Sequence, residues 1–128
     1  MVKKLAVALA AAVVLAGCAP TADDAAPRDV TPVVITAGVD SDEYLRASAY
    51  VEGIVEDGGR CRFTFWADNG AATRLTSEAS VIDGRTECGD VEEHIQPLLA
   101  GRYELTVSYA SAAAAGDSAP FPLEIPAH

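Results

Sequence analysis

Asp40-Ser41-Asp42-Glu43 places three carboxylates within four residues, and clustered oxygens are what Ca2+ selects. A calcium centre needs about six or more oxygen ligands, and this run lacks the glycine that sharpens a calcium-binding turn. A solvated turn between strands is the expectation, with calcium the competing reading. Glu92-Glu93-His94 sets carboxylates beside an imidazole, the material of general acid–base chemistry or of a metal centre. Adjacent residues of a strand point to opposite faces, so Glu93 and His94 do not converge. The other histidine, His128, is the last residue, which argues against zinc or copper. Nucleophilic catalysis needs a serine or cysteine, a base, and a group that orients the base. Ser41, Ser48, Ser77, Ser80, Ser108, Ser111 and Ser118 lie in no nucleophile-elbow pattern, and no phosphate-cradling glycine loop is present. The expectation is a protein that is not an enzyme and carries no cofactor.

Two aromatic residues suit recognition better than catalysis. Tyr50 and Trp66 fall on outward positions of the strands proposed below, and they would be neighbours if those strands pair. Exposed aromatics form sugar-stacking platforms or protein hot spots; the competing reading is that Trp66 covers the edge of the fold. Ser111-Ala112-Ala113-Ala114-Ala115-Gly116-Asp117-Ser118-Ala119 reads as a long, small-residued connection, either a recognition loop or a flexible tip.

The chain opens with two lysines at positions 3 and 4, followed by Leu5 to Ala16 without a charge. That is the layout of an export signal, and it falls short of the roughly 20 apolar residues a permanent membrane span needs. Leu15-Ala16-Gly17-Cys18 resembles the lipobox of bacterial lipoproteins. The resemblance implies cleavage before Cys18, a diacylglycerol on its sulfur and usually a further acyl chain. One acyl chain binds a membrane marginally, at about 0.8 kcal/mol per buried CH2, and two or more hold stably. The expectation is therefore a signal peptide at residues 1–17, a lipid anchor at Cys18, and a protein held on the extracytoplasmic face of the cell membrane.

Removal of residues 1–17 would leave 111 residues and take both lysines away. The seven arginines and nineteen acidic residues that remain give a net charge of −12. Such a chain repels nucleic acid and anionic headgroups. With Cys18 lipidated, Cys61 and Cys88 are left as the one possible pair in an exported domain, where disulfides persist. A metal-binding thiol pair or two free thiols are the alternatives, disfavoured by the lack of a CxxC or a histidine at ligand spacing.

The elements that must position these residues read as strands. Residues 18–30 carry two prolines, small residues and like charges, and read as a flexible tether. From Thr31 the apolar period is two. Val33, Ile35, Ala37 and Val39 alternate with polar or small residues; Leu45, Ala47, Ala49, Val51 and Val55 share a face; Cys61, Phe63 and Phe65 face a core. Thr73 to Val81 forms a weaker strand, Arg102 to Tyr109 the clearest one, and Phe121, Leu123 and Ile125 alternate with Pro122, Glu124 and Pro126, which suits a sheet edge. Asp57-Gly58-Gly59, Asp68-Asn69-Gly70 and Asp83-Gly84 punctuate them as turns. Asp90 to Ile95 reads as a strand or a single turn, because Pro97 stops a helix. The sum is an antiparallel β-sandwich of about seven strands over residues 31–128.

Two stretches, Tyr50 to Thr64 and Leu98-Leu99-Ala100-Gly101-Arg102-Tyr103-Glu104-Leu105-Thr106-Val107-Ser108-Tyr109, resemble immunoglobulin-like domains of secreted and lipid-anchored proteins in high-GC Gram-positive bacteria. The resemblance implies an immunoglobulin-like sandwich in which Tyr103 is the corner tyrosine whose hydroxyl bonds back to the preceding backbone. Cys88 lies before the sixth strand, so a Cys61–Cys88 bridge departs from the second-to-sixth pairing of antibody domains, and antibody-type binding does not carry over. The functional expectation is an envelope module that binds a protein or glycan, or acts as a spacer. A small-ligand or metal-binding accessory lipoprotein, for instance of a transporter, is the alternative.

Overall fold

The computed structural model describes residues 27–128. The expected signal peptide, the expected lipid site Cys18 and the expected tether as far as residue 26 lie outside the described residues. Ten strands follow in order: β1 (Arg28–Asp29), β2 (Thr31–Val39), β3 (Tyr44–Glu52), β4 (Arg60–Ala67), β5 (Ala72–Glu78), β6 (Ser80–Ile82), β7 (Arg85–His94), β8 (Gly101–Ala110), β9 (Ala114–Asp117) and β10 (Phe121–Ile125). One sheet runs β2-β3-β7-β6; in the other, β5, β4 and β8 are followed by β9 and β10, which both pair with β8. Two sheets in this order, with a neighbour added beside the third main strand, form an immunoglobulin-like sandwich.

Alternation decides which side of each strand is buried. On β3, Leu45, Ala47, Ala49 and Val51 are buried, while Arg46 and Glu52 are exposed. On β4, Cys61, Phe63 and Phe65 are fully buried. Across from them β8 sends in Tyr103, Leu105, Val107 and Tyr109. At roughly 25 cal/mol per Å2 of apolar surface removed from water, large side chains such as Phe63, Phe65, Leu45 and Leu105 supply about 1.5–3 kcal/mol each. Pro122 sits on β10, an edge strand that pairs only with β8, where its missing N–H costs no ladder bond.

The sheets are stapled by the Cys61–Cys88 disulfide, from β4 in one sheet to β7 in the other, with the Cα atoms 5.8 Å apart. The corner tyrosine is formed as well: the Tyr103 hydroxyl donates to the Leu99 carbonyl at 2.8 Å, pinning the crossover from β7 to β8.

Five local readings are corrected. The expected tether does not run to residue 30, because β1 pairs in parallel with β9 and Val30 is buried, so residues 28–30 belong to the domain. In β2 a bulge between Val34 and Thr36 turns Ile35 outward, 47% exposed, and resets the alternation so that Val34, Ala37 and Val39 pack on the core. Val55 lies beyond the end of β3 and is exposed. Asp57-Gly58-Gly59 closes no hairpin, since β3 and β4 belong to different sheets. The stretch from Thr73 to Val81 is two strands: β5 ends at Glu78, Ala79 is buried at the switch, and β6 joins the opposite sheet. Ala79 is held there by backbone bonds to Gly58 and Gly59. Residues 90–95 continue β7 to His94, after which the Leu98 N–H to Ile95 carbonyl bond closes a turn.

Two outcomes follow. Reducing Cys61–Cys88, which spans 27 residues of sequence, lowers unfolding free energy by about 3–4 kcal/mol in the chain-entropy account; denaturant melts with and without reductant read this directly, and coincident curves would contradict the staple. Tyr103→Phe deletes only the corner bond and costs about 1 kcal/mol, visible as a lower urea midpoint at unchanged slope.

Candidate functional site

Tyr50 and Trp66 do not form one surface. Tyr50 lies on β3 between buried Ala49 and Val51, so it points out of the β2-β3-β7-β6 sheet. Trp66 follows buried Phe65 on β4 and points out of the other sheet. The expectation of neighbouring aromatics assumed that β3 and β4 pair; they sit on opposite sides of the sandwich, and so do the two rings.

Trp66, next to last on β4, is 41% exposed between Ala72 of β5 and Glu104 of β8. Its indole N–H donates to Thr106 Oγ1 at 3.3 Å, which fixes the ring against β8, and the Arg74 guanidinium lies 5.6 Å from the ring centroid. Arg60, Arg62 and Thr64 share the outward side of β4 with it, and Arg74 stands opposite Thr64 on β5. Arg60, Arg62, Arg74 and Arg102 all point out of this sheet and make no salt bridge among the described residues, whose ion pairs use Arg46 and Arg85. An exposed aromatic ring with one guanidinium against it, on a sheet face that carries three further arginines without ion pairs, is suited to docking, since both residue types are enriched where interfaces bind hardest.

Tyr50 is more tied down. The Arg85 guanidinium stacks 3.9 Å from its ring centroid and is itself paired with Glu87 at 2.6 Å, while the Tyr50 hydroxyl donates to Glu52 at 3.3 Å. A concavity of about 690 Å3, broadly open to solvent, adjoins it and is lined by Arg28, Glu52, Ile54, Val55 and Arg85 among others. Arg28 closes one side by donating to the Gly53 carbonyl at 2.8 Å.

The remaining polar candidates are structural in their contacts. Asp40 Oδ1 accepts from the N–H groups of Asp42 at 2.9 Å and Tyr44 at 3.0 Å, and Oδ2 accepts from Arg46. Arg46 holds the Asp40 carboxyl below its usual range, with the backbone donors adding to the effect. The turn is thus built around Asp40, with Glu43 in the left-handed region at φ 67°. Arg46 also pairs with Glu92 on β7. Glu93 stands opposite buried Leu45, while His94 points outward against Tyr44, ring centroids 5.0 Å apart. Glu93 and His94 diverge. Among the described residues no group of three potential metal ligands gathers. Ser77 donates to the Cys88 carbonyl at 2.7 Å, and Ser111 and Ser118 accept from backbone N–H groups of their own turn and of Val107.

The segment 111–119 is no long loop. The Ser111 N–H donates to the Ala114 carbonyl at 2.8 Å, β9 pairs back onto β8 from Ala115, and a short irregular step at Ser118 to Pro120 leads to β10. Gly116 is required there: a Cβ would collide with the Val30 carbonyl.

One pair, a buried tyrosine and a half-buried glutamate, escapes sequence reading. Tyr109, 1% exposed, donates its hydroxyl to Glu56, 53 residues away, and Gly59 packs so closely on the ring that any side chain would overlap the hydroxyl. Glu56 is itself held by its N–H to Thr86 Oγ1 at 3.1 Å. Burial first, then the bond to Glu56 and its charge, push the Tyr109 hydroxyl up from 10.0 to about 12.

Comparison with protein-family models, with curated proteins and with solved structures returns no match to the chain.

The Tyr109 shift has a defined sign. A pKa raised on folding stabilises the protonated state, so its contribution is complete below about pH 10 and lost as pH rises toward about 12. That loss is on the order of 2–3 kcal/mol. Unfolding free energy measured from pH 9 to 12 should fall more steeply for the wild type than for Tyr109→Phe; parallel profiles would contradict the coupling.

Proposed function

We propose that this protein is a lipid-anchored, extracytoplasmic immunoglobulin-like module that works by binding an envelope partner, or by spacing one, and not by catalysis. The observation that carries the reading is the face around Trp66: an exposed indole among arginines without ionic partners, on a rigid sheet. The candidate polar groups elsewhere are spent on turns, strand pairing and the half-buried Tyr109–Glu56 contact. The Cys18 anchor comes from the lipobox resemblance, and the acidic net charge points away from nucleic acid as a partner.

The concavity beside Tyr50 favours a second reading, an accessory lipoprotein that holds a small ligand between Arg28 and Arg85. A ligand that binds only the folded state must raise the melting temperature, so screens of ions, sugars and small carboxylates by thermal melt separate the two readings. A shift abolished by Arg28→Ala supports the second.

Cys18→Ala should move the protein from the membrane fraction to the medium; continued membrane retention would sink the anchor. Crosslinking on living cells with the anchor intact should capture an envelope component, and Trp66→Ala should reduce that capture about tenfold or more while leaving the melt within about 0.5 kcal/mol of wild type. Capture that survives Trp66→Ala places the binding face elsewhere.

A further inference from the structure

The face that carries Trp66 is polarised. Over β4 and β5 it presents Arg60, Arg62 and Arg74 against a single carboxylate, Glu78. Over β8, β9, β10 and β1 it presents Glu104, Asp117, Glu124 and Asp29 against a single guanidinium, Arg102. Register ties the halves together row by row. Trp66 stands opposite Glu104, Arg62 opposite Ser108, and Ser108 in turn opposite Asp117. The basic half and the acidic half meet along the line between β4 and β8, with Trp66 beside that line.

Such a face is complementary to itself under one symmetry operation. Two copies packed face to face about a two-fold axis parallel to the strands exchange left for right, so the arginines of β4 and β5 lie over the carboxylates of the other copy's β8 to β10. The two Trp66 rings then flank the axis. A two-fold axis across the strands would instead set arginine on arginine and acid on acid. The axis that matches charge also keeps the same end of both domains together. Arg28, in the first described strand, lies at the end where it bonds Gly53, so both domains are entered from one end of the pair, as two anchors in one membrane require. We infer that this protein pairs with a second copy of itself on the same membrane through the outer face of the β9/β10-β8-β4-β5 sheet, in an isologous contact centred on Trp66. The inference rests on the anchored binding-module reading and names its first partner. The net charge of −12 expected after processing opposes pairing of dilute copies in solution, while confinement to a membrane supplies the effective concentration that offsets it.

The test uses the full chain in its own membrane. With Cys18 lipidated and Cys61 bridged to Cys88, Ser108→Cys adds one free thiol near the line between the halves, and Ser48→Cys adds one on the opposite sheet as control. A short bis-maleimide should give a dimer-sized product from Ser108→Cys and none from Ser48→Cys. In the Ser108→Cys background, Arg60→Glu with Arg62→Glu makes both halves acidic, and Asp117→Arg with Glu124→Arg makes both basic. Each alone should lose about tenfold or more of the product, a difference of about 1.4 kcal/mol. Co-expressed with different tags, the two variants should crosslink to each other, a recovery that misfolding could not produce. Membrane-bound protein that stays monomeric, or charge reversals without effect or without recovery, would overturn the pairing and leave the binding-module reading standing. Crosslinking at position 108 to a different protein would overturn self-pairing in favour of another partner. Protein absent from the membrane fraction would overturn the anchored reading and the pairing with it.

Discussion

Strand β4 has one side for the core and one for solvent, and that division organises the molecule. Cys61, Phe63 and Phe65 on the inner side are fully buried and contact both the partner sheet and the neighbouring strands. A domain of about 100 residues buries a modest share of its surface, so this row and the disulfide that starts it bear a large part of the stability. The outer side of the same strand must then take whatever remains: Arg60, Arg62, Thr64 and Trp66. The face that carries Trp66 and its arginines is the reverse side of the surface that holds the fold.

Sheet membership, more than strand identity, determines what any exposed residue can do. After β2 the chain crosses between sheets at three short places: the loop after β3, the single residue Ala79, and the turn from β7 into β8. Each is pinned by a specific polar contact. Gly58 and Gly59 bond Ala79, Glu56 and Ile54 bond Thr86, and Tyr103 bonds Leu99. Gly59 joins the first of these to the core, because only the absence of a side chain lets Tyr109 lie against it.

These crossings mark the limit of what alternation reveals. The inner faces of β3, β4 and β8, the Cys61–Cys88 pair and the role of Tyr103 are legible, because period two and a corner motif are local. Ile35 is misread, since a bulge inserts one residue without changing composition. Ala79 is misread because a sheet switch needs one residue and alternation continues straight through it. Residues 111–119 look like a loop because alanine and glycine carry no strand signature of their own; β8 and β1 supply the pairing that makes Ala114 to Asp117 a strand. Tyr50 and Trp66 are each read correctly as outward, yet joined wrongly, because a period says which side a residue takes and nothing about which strands pair. The arginine cluster was within reach: Arg60 and Arg62 alternate with the core residues of β4, and outward cations on that strand could have been set beside Trp66 from spacing alone.

The edges of the sandwich carry a consequence for what the domain can add to itself. An open sheet edge is a template on which any extended chain can add a strand, and natural proteins blunt such edges. Here β6 is three residues long, β2 is broken by its bulge, and β10 carries Pro122 where a donor would otherwise be offered. The edge left continuous is β5, seven residues bearing Arg74 and Glu78 on its exposed side. Fibril-like growth or strand exchange with unfolded neighbours, if it begins anywhere on this domain, begins along β5, and the charges there act as its gatekeepers.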